Sequence, residues 1–191
     1  MEKRDTTAAL IDNLLRYLVG GGAIASMLLL PGLAIGLDKS LGSFFRHLDK
    51  RQQEREAHRV LKYMAQQKLI DYDSSYAHGI TITEKGRQRL AKADFRNLRL
   101  KRPNKWDERW RVVIFDVPED RKSARNALQT KLKDLGLQSI QKSVWVHPFP
   151  CHEEIEAVAI NYNLANFITY LETNYIDKPE VLKTRFSSLL K

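Results

Sequence analysis

The chain has 191 residues, 32 Lys and Arg against 23 Asp and Glu, a net charge of +9 and one cysteine, Cys151. That length holds two small domains, each able to bury a core, and a lone cysteine excludes any intrachain disulfide and fits a reducing cytoplasm. The charge is local: residues 1–37 are neutral overall, residues 38–102 carry +8 and residues 103–191 carry +1. The middle third therefore has the excess that a phosphate-binding surface needs, with a merely solvated surface as the plainer reading.

In chain order, Thr6 or Thr7 is expected to cap a first helix with Leu10, Ile11, Leu14, Leu15 and Leu18 inward. Residues 17–37 then run for 21 positions without a charge, long enough to span a bilayer. Gly20, Gly21, Gly22 and the Pro31-Gly32 pair favour two short buried helices over one anchor, and the anchor stays open as an alternative. The triple glycine is no phosphate loop, since no Gly-Lys-Ser/Thr follows it. Residues 40–48 are expected to form a second helix with Leu41, Phe44, Phe45 and Leu48 inward.

From Arg51 the pattern becomes RQQEREAHRVLKYMAQQKLI. Ala57, Val60, Leu61 and Met64 make one apolar stripe, and Arg51, Arg55, Arg59, Lys62 and Gln66 share the opposite side at helical spacing. Such a flank can follow a phosphate backbone or enter a major groove; a solvated face balanced by Glu54 and Glu56 is the competing reading. Residues 69–72 and 80–83 read as two short strands joined by a turn-rich loop carrying Tyr76 and His78, and Thr83 is expected to cap a further helix. Helix, helix, basic helix, hairpin and Ile-Thr-Glu-Lys-Gly is an order that resembles winged helix-turn-helix regulators of bacteria. That resemblance implies double-stranded DNA as the partner, with Tyr76 and His78 near a wing tip. Arg96, Arg99, Lys101 and Arg102 follow, and the domain boundary is expected near Lys101, giving domains of 1–101 and 102–191.

In the second half, Val112 to Phe115 form a β-branched apolar run that suits a buried strand ending at Asp116. Pro118 stops the ladder, and Glu119 and Asp120 are placed in the first turn of a helix. That helix carries Ala124, Leu128, Lys131, Leu132 and Leu135, with Gly136 at a left-handed C-cap. Residues 140–147 read as one strand with Ile140, Val144 and Val146 on one side. A helix with Ile155, Val158, Ala159 and Tyr162, a strand over 167–176 and a final, largely polar helix over 179–189 complete the order. The economical fold class is α+β: a winged helix-turn-helix followed by a ferredoxin-like α/β sandwich, with one strand of uncertain position. Trp106, Trp110 and Trp145 read as core or interface aromatics, Asp107, Glu108, Glu119 and Asp120 as turn or cap residues. His147, Cys151 and His152 match no standard zinc spacing.

The run Trp106-Asp107-Glu108-Arg109-Trp110-Arg111-Val112-Val113-Ile114-Phe115-Asp116-Val117-Pro118-Glu119, with Arg125, Leu128 and then Gln141-Lys142-Ser143-Val144-Trp145-Val146, resembles the central domain of PaaX transcriptional repressors. That domain in turn resembles a small CRISPR-associated adaptation nuclease. The resemblance implies a homodimeric, cytoplasmic repressor that needs no cofactor and whose small-molecule effector is unknown. Its alternative is a nuclease using magnesium or manganese, in which Asp116 is the metal-binding and catalytic residue and two-fold symmetry supplies a second carboxylate. The glycine-rich run departs from the family's first helices, and the chain stops before the family's C-terminal region, so the acyl-CoA response of PaaX repressors is not carried over.

Overall fold

The computed structural model describes residues 2–21, 49–72 and 80–190, and the chain divides into two compact units, with the division between Arg96 and Asn97. Both the helices expected within 22–48 and the loop of 73–79, with Tyr76 and His78, lie outside the described residues. The uncharged stretch lies mostly outside them too. Among the described residues no helix is long and apolar enough to cross a membrane.

The first unit contains α1 (Glu2–Gly21), α2 (Lys50–Gln66), β1 (Ile70–Tyr72), β2 (Ile80–Ile82) and α3 (Glu84–Arg96). Helix α1 starts at Glu2, ahead of the threonine cap the sequence suggested. It buries the expected Leu10, Ile11, Leu14, Leu15 and Leu18, which share one core with Val60, Leu61, Met64, Leu69, Ile70, Ile80 and Leu90. A capping box fixes the start of α2. The Asp49 carboxylate accepts the Gln52 N–H at 2.8 Å, and the Gln52 amide oxygen accepts the Asp49 N–H at 3.1 Å. At its other end, Leu69 N–H reaches Met64 O at 2.9 Å and Lys68 N–H reaches Ala65 O at 2.8 Å, a Schellman closure that puts Lys68 at φ 56°.

Strands β1 and β2 pair antiparallel, Ile70 opposite Ile82 and Tyr72 opposite Ile80. Thr83 joins this hairpin to α3 as expected: its Oγ1 accepts the Gly86 N–H at 3.1 Å and donates to Lys68 O at 2.7 Å. Gly86 could be no other residue without a shift, because a β-carbon there would stand 2.1 Å from the Leu69 carbonyl oxygen. Asp12, nearly buried on α1, accepts from Arg89 of α3 at 2.9 Å.

The second unit contains β3 (Trp110–Phe115), α4 (Lys122–Asp134), β4 (Gln138–Gln141), β5 (Val144–His147), α5 (His152–Asn161), β6 (Ile168–Thr173) and α6 (Pro179–Arg185). The sheet order is β4-β5-β3-β6 with every neighbouring pair antiparallel. This is the βαββαβ arrangement of a ferredoxin-like fold, so the chain as a whole is α+β. The single strand expected over 140–147 is in fact two. The chain turns at Lys142-Ser143 into the β4–β5 hairpin, and β4 is the strand whose position the sequence left open. Both Trp145 and Val146 are buried, because successive side chains point to opposite faces and each face is covered. On one face Trp110, Val112 and Val146 pack with Leu182 of α6 and with Phe186. Helix α6 is thus a core element and less polar in role than its sequence suggests.

Glu119 and Asp120 fall in a 3-10 turn ahead of α4, and the helix itself begins at Lys122. It buries Leu128, Leu132 and Lys131. It ends as expected, with Gly136 at φ 94° and Leu137 N–H on Leu132 O at 3.0 Å.

Candidate nucleic-acid interface

The face of α2 opposite the core presents Arg51, Arg55, Arg59, Lys62 and Gln66, all five exposed. The helical register brings them together because positions three and four apart stand one above another. Arg55, His58, Arg59, Leu61 and Lys62 line a shallow concavity of about 380 Å³. His58 was not singled out in the sequence, although it lies three residues from Arg55 and four from Lys62 and so shares their side.

The five are not equivalent. Arg59 Nε donates to Glu56 Oε2 at 2.9 Å and Nη2 donates to the other oxygen of the same carboxylate. This pair raises the Arg59 pKa, through the hydrogen bond first and the charge second. Arg55 and Lys62 make no ion pair among the described residues. Their charges face water.

Asp116 lies in the other unit, exposed, one residue beyond β3. Its N–H donates to Phe167 O at 3.0 Å, which fixes its backbone at the strand end. Among the described residues no three His, Cys, Asp or Glu side chains are placed to hold a metal ion. His147, Cys151 and His152 do not converge either. The buried His147 Nδ1 accepts the Phe149 N–H at 3.1 Å, burial holds its pKa below the ordinary value, and burial pushes the Cys151 thiol up to about 12.

The most elaborate polar cluster was not foreseen. Arg111 sits inside β3 with 2% of its surface exposed. Its Nη1 and Nη2 donate to the two Asp107 oxygens at 2.6 and 2.5 Å, Nη1 also donates to Pro148 O at 2.7 Å and Arg109 O at 2.9 Å, and Nε faces Glu172 at 3.4 Å. Asp107 accepts the Arg109 N–H at 3.2 Å as a turn residue would, yet its main contact is the guanidinium. That contact draws its pKa below the ordinary carboxylate value against the opposing effect of burial. Two carboxylates and two carbonyls surround the buried Arg111, so the cluster fastens the segment before β3 to the sheet.

Taken together, the fold defines a two-unit α+β protein: helices and a small hairpin with a basic flank, then a ferredoxin-like domain. Residues 103–183 match the family described as the PaaX protein central Cas2-like domain. That match lies within the second unit. No curated protein matches the chain. Among solved structures, the uncharacterized protein Rv0674 from Mycobacterium tuberculosis aligns at 17% identity and a TM-score of 0.40, over 90% of this chain and 64% of that one. This chain thus spans less than two thirds of that protein, and the likeness is too slight to carry an argument.

Proposed function

We propose that the protein is a homodimeric, cytoplasmic DNA-binding transcriptional regulator of the PaaX-like class, acting as a repressor. In this reading the first unit is a winged helix-turn-helix that grips duplex DNA, and the ferredoxin-like unit joins two copies and so sets the spacing of two half-sites. The observation that carries it is the α2 flank, where Arg51, Arg55, Arg59, Lys62 and Gln66 stand exposed on one side. From Arg51 to Lys62 the flank runs about 16 Å at 1.5 Å per residue, enough to meet several phosphates. The reading is supported by chain order as well: the β1–β2 hairpin follows α2, and the stretch similar to the PaaX central domain follows that.

The test is an anisotropy titration with random-sequence duplex at several salt concentrations. The wild type is expected to bind with a steep salt dependence. Arg55→Ala with Lys62→Ala should bind more weakly and lower the slope of log K against log salt by about 0.9 for each phosphate left without its cation. Equal affinity and equal slope in the double variant would overturn the reading.

A further inference from the structure

The clamp on Arg59 has a chemical consequence for what α2 can read. A guanidinium carries five N–H groups. Glu56 takes the Nε hydrogen and one on Nη2, so the carboxylate lies along the side edge. Both Nη1 hydrogens and one on Nη2 remain, which leaves the end edge with two parallel donors. Two parallel donors match the O6 and N7 acceptors that guanine presents in the major groove. The side chain is 65% exposed, so this edge is open to solvent.

Charge points the same way. With Glu56 beside it the Arg59 pair is close to neutral, and a phosphate approaching Arg59 would meet a carboxylate of its own sign. Arg55 and Lys62 carry no such neighbour in an ion pair among the described residues, and a lysine ammonium is a point charge without a planar fork. Phosphates therefore suit Arg55 and Lys62, and a base edge suits Arg59.

We propose that Arg59 is the base-reading residue of α2 and selects guanine, with Glu56 as the positioning residue that presents its free edge. This rests on the duplex-binding function proposed above and assigns the substrate preference within it. Arg51, Arg55 and Lys62 supply sequence-independent grip.

The test uses the full chain and a randomised duplex library, selecting the preferred sequence for wild type, Arg59→Lys, Glu56→Gln and Arg55→Ala. The wild type is expected to require a guanine at one position in each half-site. Arg59→Lys and Glu56→Gln should each lose on the order of tenfold in preference there; Arg59→Lys keeps the wild-type salt slope, and Glu56→Gln, which frees the Arg59 charge, steepens it. Arg55→Ala should lose affinity evenly across sequences. Selection of the same site with the same preference by Arg59→Lys would overturn the assignment, as would an undiminished guanine preference in Glu56→Gln. A wild type that binds no duplex removes the regulator reading itself, a result distinct from either.

Discussion

On α2, Arg51, Arg55 and Arg59 stand at the surface with one carboxylate, Glu56, among their ion-pair partners in the described residues, whereas in β3 a single arginine, Arg111, is closed in by Asp107, Glu172 and two main-chain carbonyls. The two regions use one residue type for opposite purposes. A guanidinium that is buried and held by several fixed acceptors serves to hold the protein together, because no edge of it is open to a partner. One with an open edge costs the fold almost nothing to change and is available to a partner. The number of fixed acceptors around each arginine separates the two roles more surely than its position in the sequence.

The sharpest way to break this contrast is to remove Arg111. Arg111→Ala leaves the Pro148 carbonyl without its donor and empties the site, and the second unit should lose about 3 kcal/mol, since breaking a buried charge pair costs roughly that much. Urea unfolding followed by tryptophan fluorescence measures it, Trp110 and Trp145 both being buried in this unit. Far-UV circular dichroism along the same titration follows the first unit as well, where Arg55→Ala should shift stability by no more than about 0.5 kcal/mol. Comparable losses at both positions would erase the distinction.

A smaller effect tests the partner. Asp107→Asn keeps the shape but not the charge, and about 1–2 kcal/mol should be lost at neutral pH, in the range of hydrogen bonds to charged groups. Because Arg111 depresses the Asp107 pKa, the stabilisation is complete above the unfolded carboxylate value, near 3.9, and fades as pH falls through the folded value. Wild type and variant should therefore differ by a constant amount from pH 5 to 7 and converge below about pH 4. A gap that persists in acid would point to packing as its source.

The smallest effect compares two helix ends. Helices α2 and α4 both close with a left-handed residue, Lys68 at φ 56° and Gly136 at φ 94°. A side chain in that conformation costs roughly 1–2 kcal/mol. Gly136→Ala should destabilise the second unit by about 1 kcal/mol, and Lys68→Gly should stabilise the first by somewhat less, because glycine also gains freedom in the unfolded chain. Thermal melts of the two variants give the signs.

Regular periodicity was the part of the structure legible in the sequence. The core faces of α1, α2, α4 and α5 follow from apolar spacing, and the basic flank of α2 follows from the same rule applied to its other side. The β4–β5 hairpin did not show, because Lys142-Ser143 carries none of the Gly, Asn or Pro signals that mark a tight turn. Nor did the Lys68 cap, where glycine is the usual sign. Arg111 reads as an interruption in an apolar run, and only the fold brings Pro148 and Glu172 to it from 37 and 61 residues away. The Glu56–Arg59 pair was visible as charge balance; the clamped edge that gives it meaning is a matter of side-chain geometry.

Cys151 is 1% exposed at the N-cap of α5. Thiol reagents attack the thiolate, and a group titrating near 12 supplies almost none at neutral pH even where a reagent can reach it. Alkylation of the native chain should therefore wait for the second unit to open, and its rate then reports how often that happens. The chain carries its own stopwatch for local unfolding.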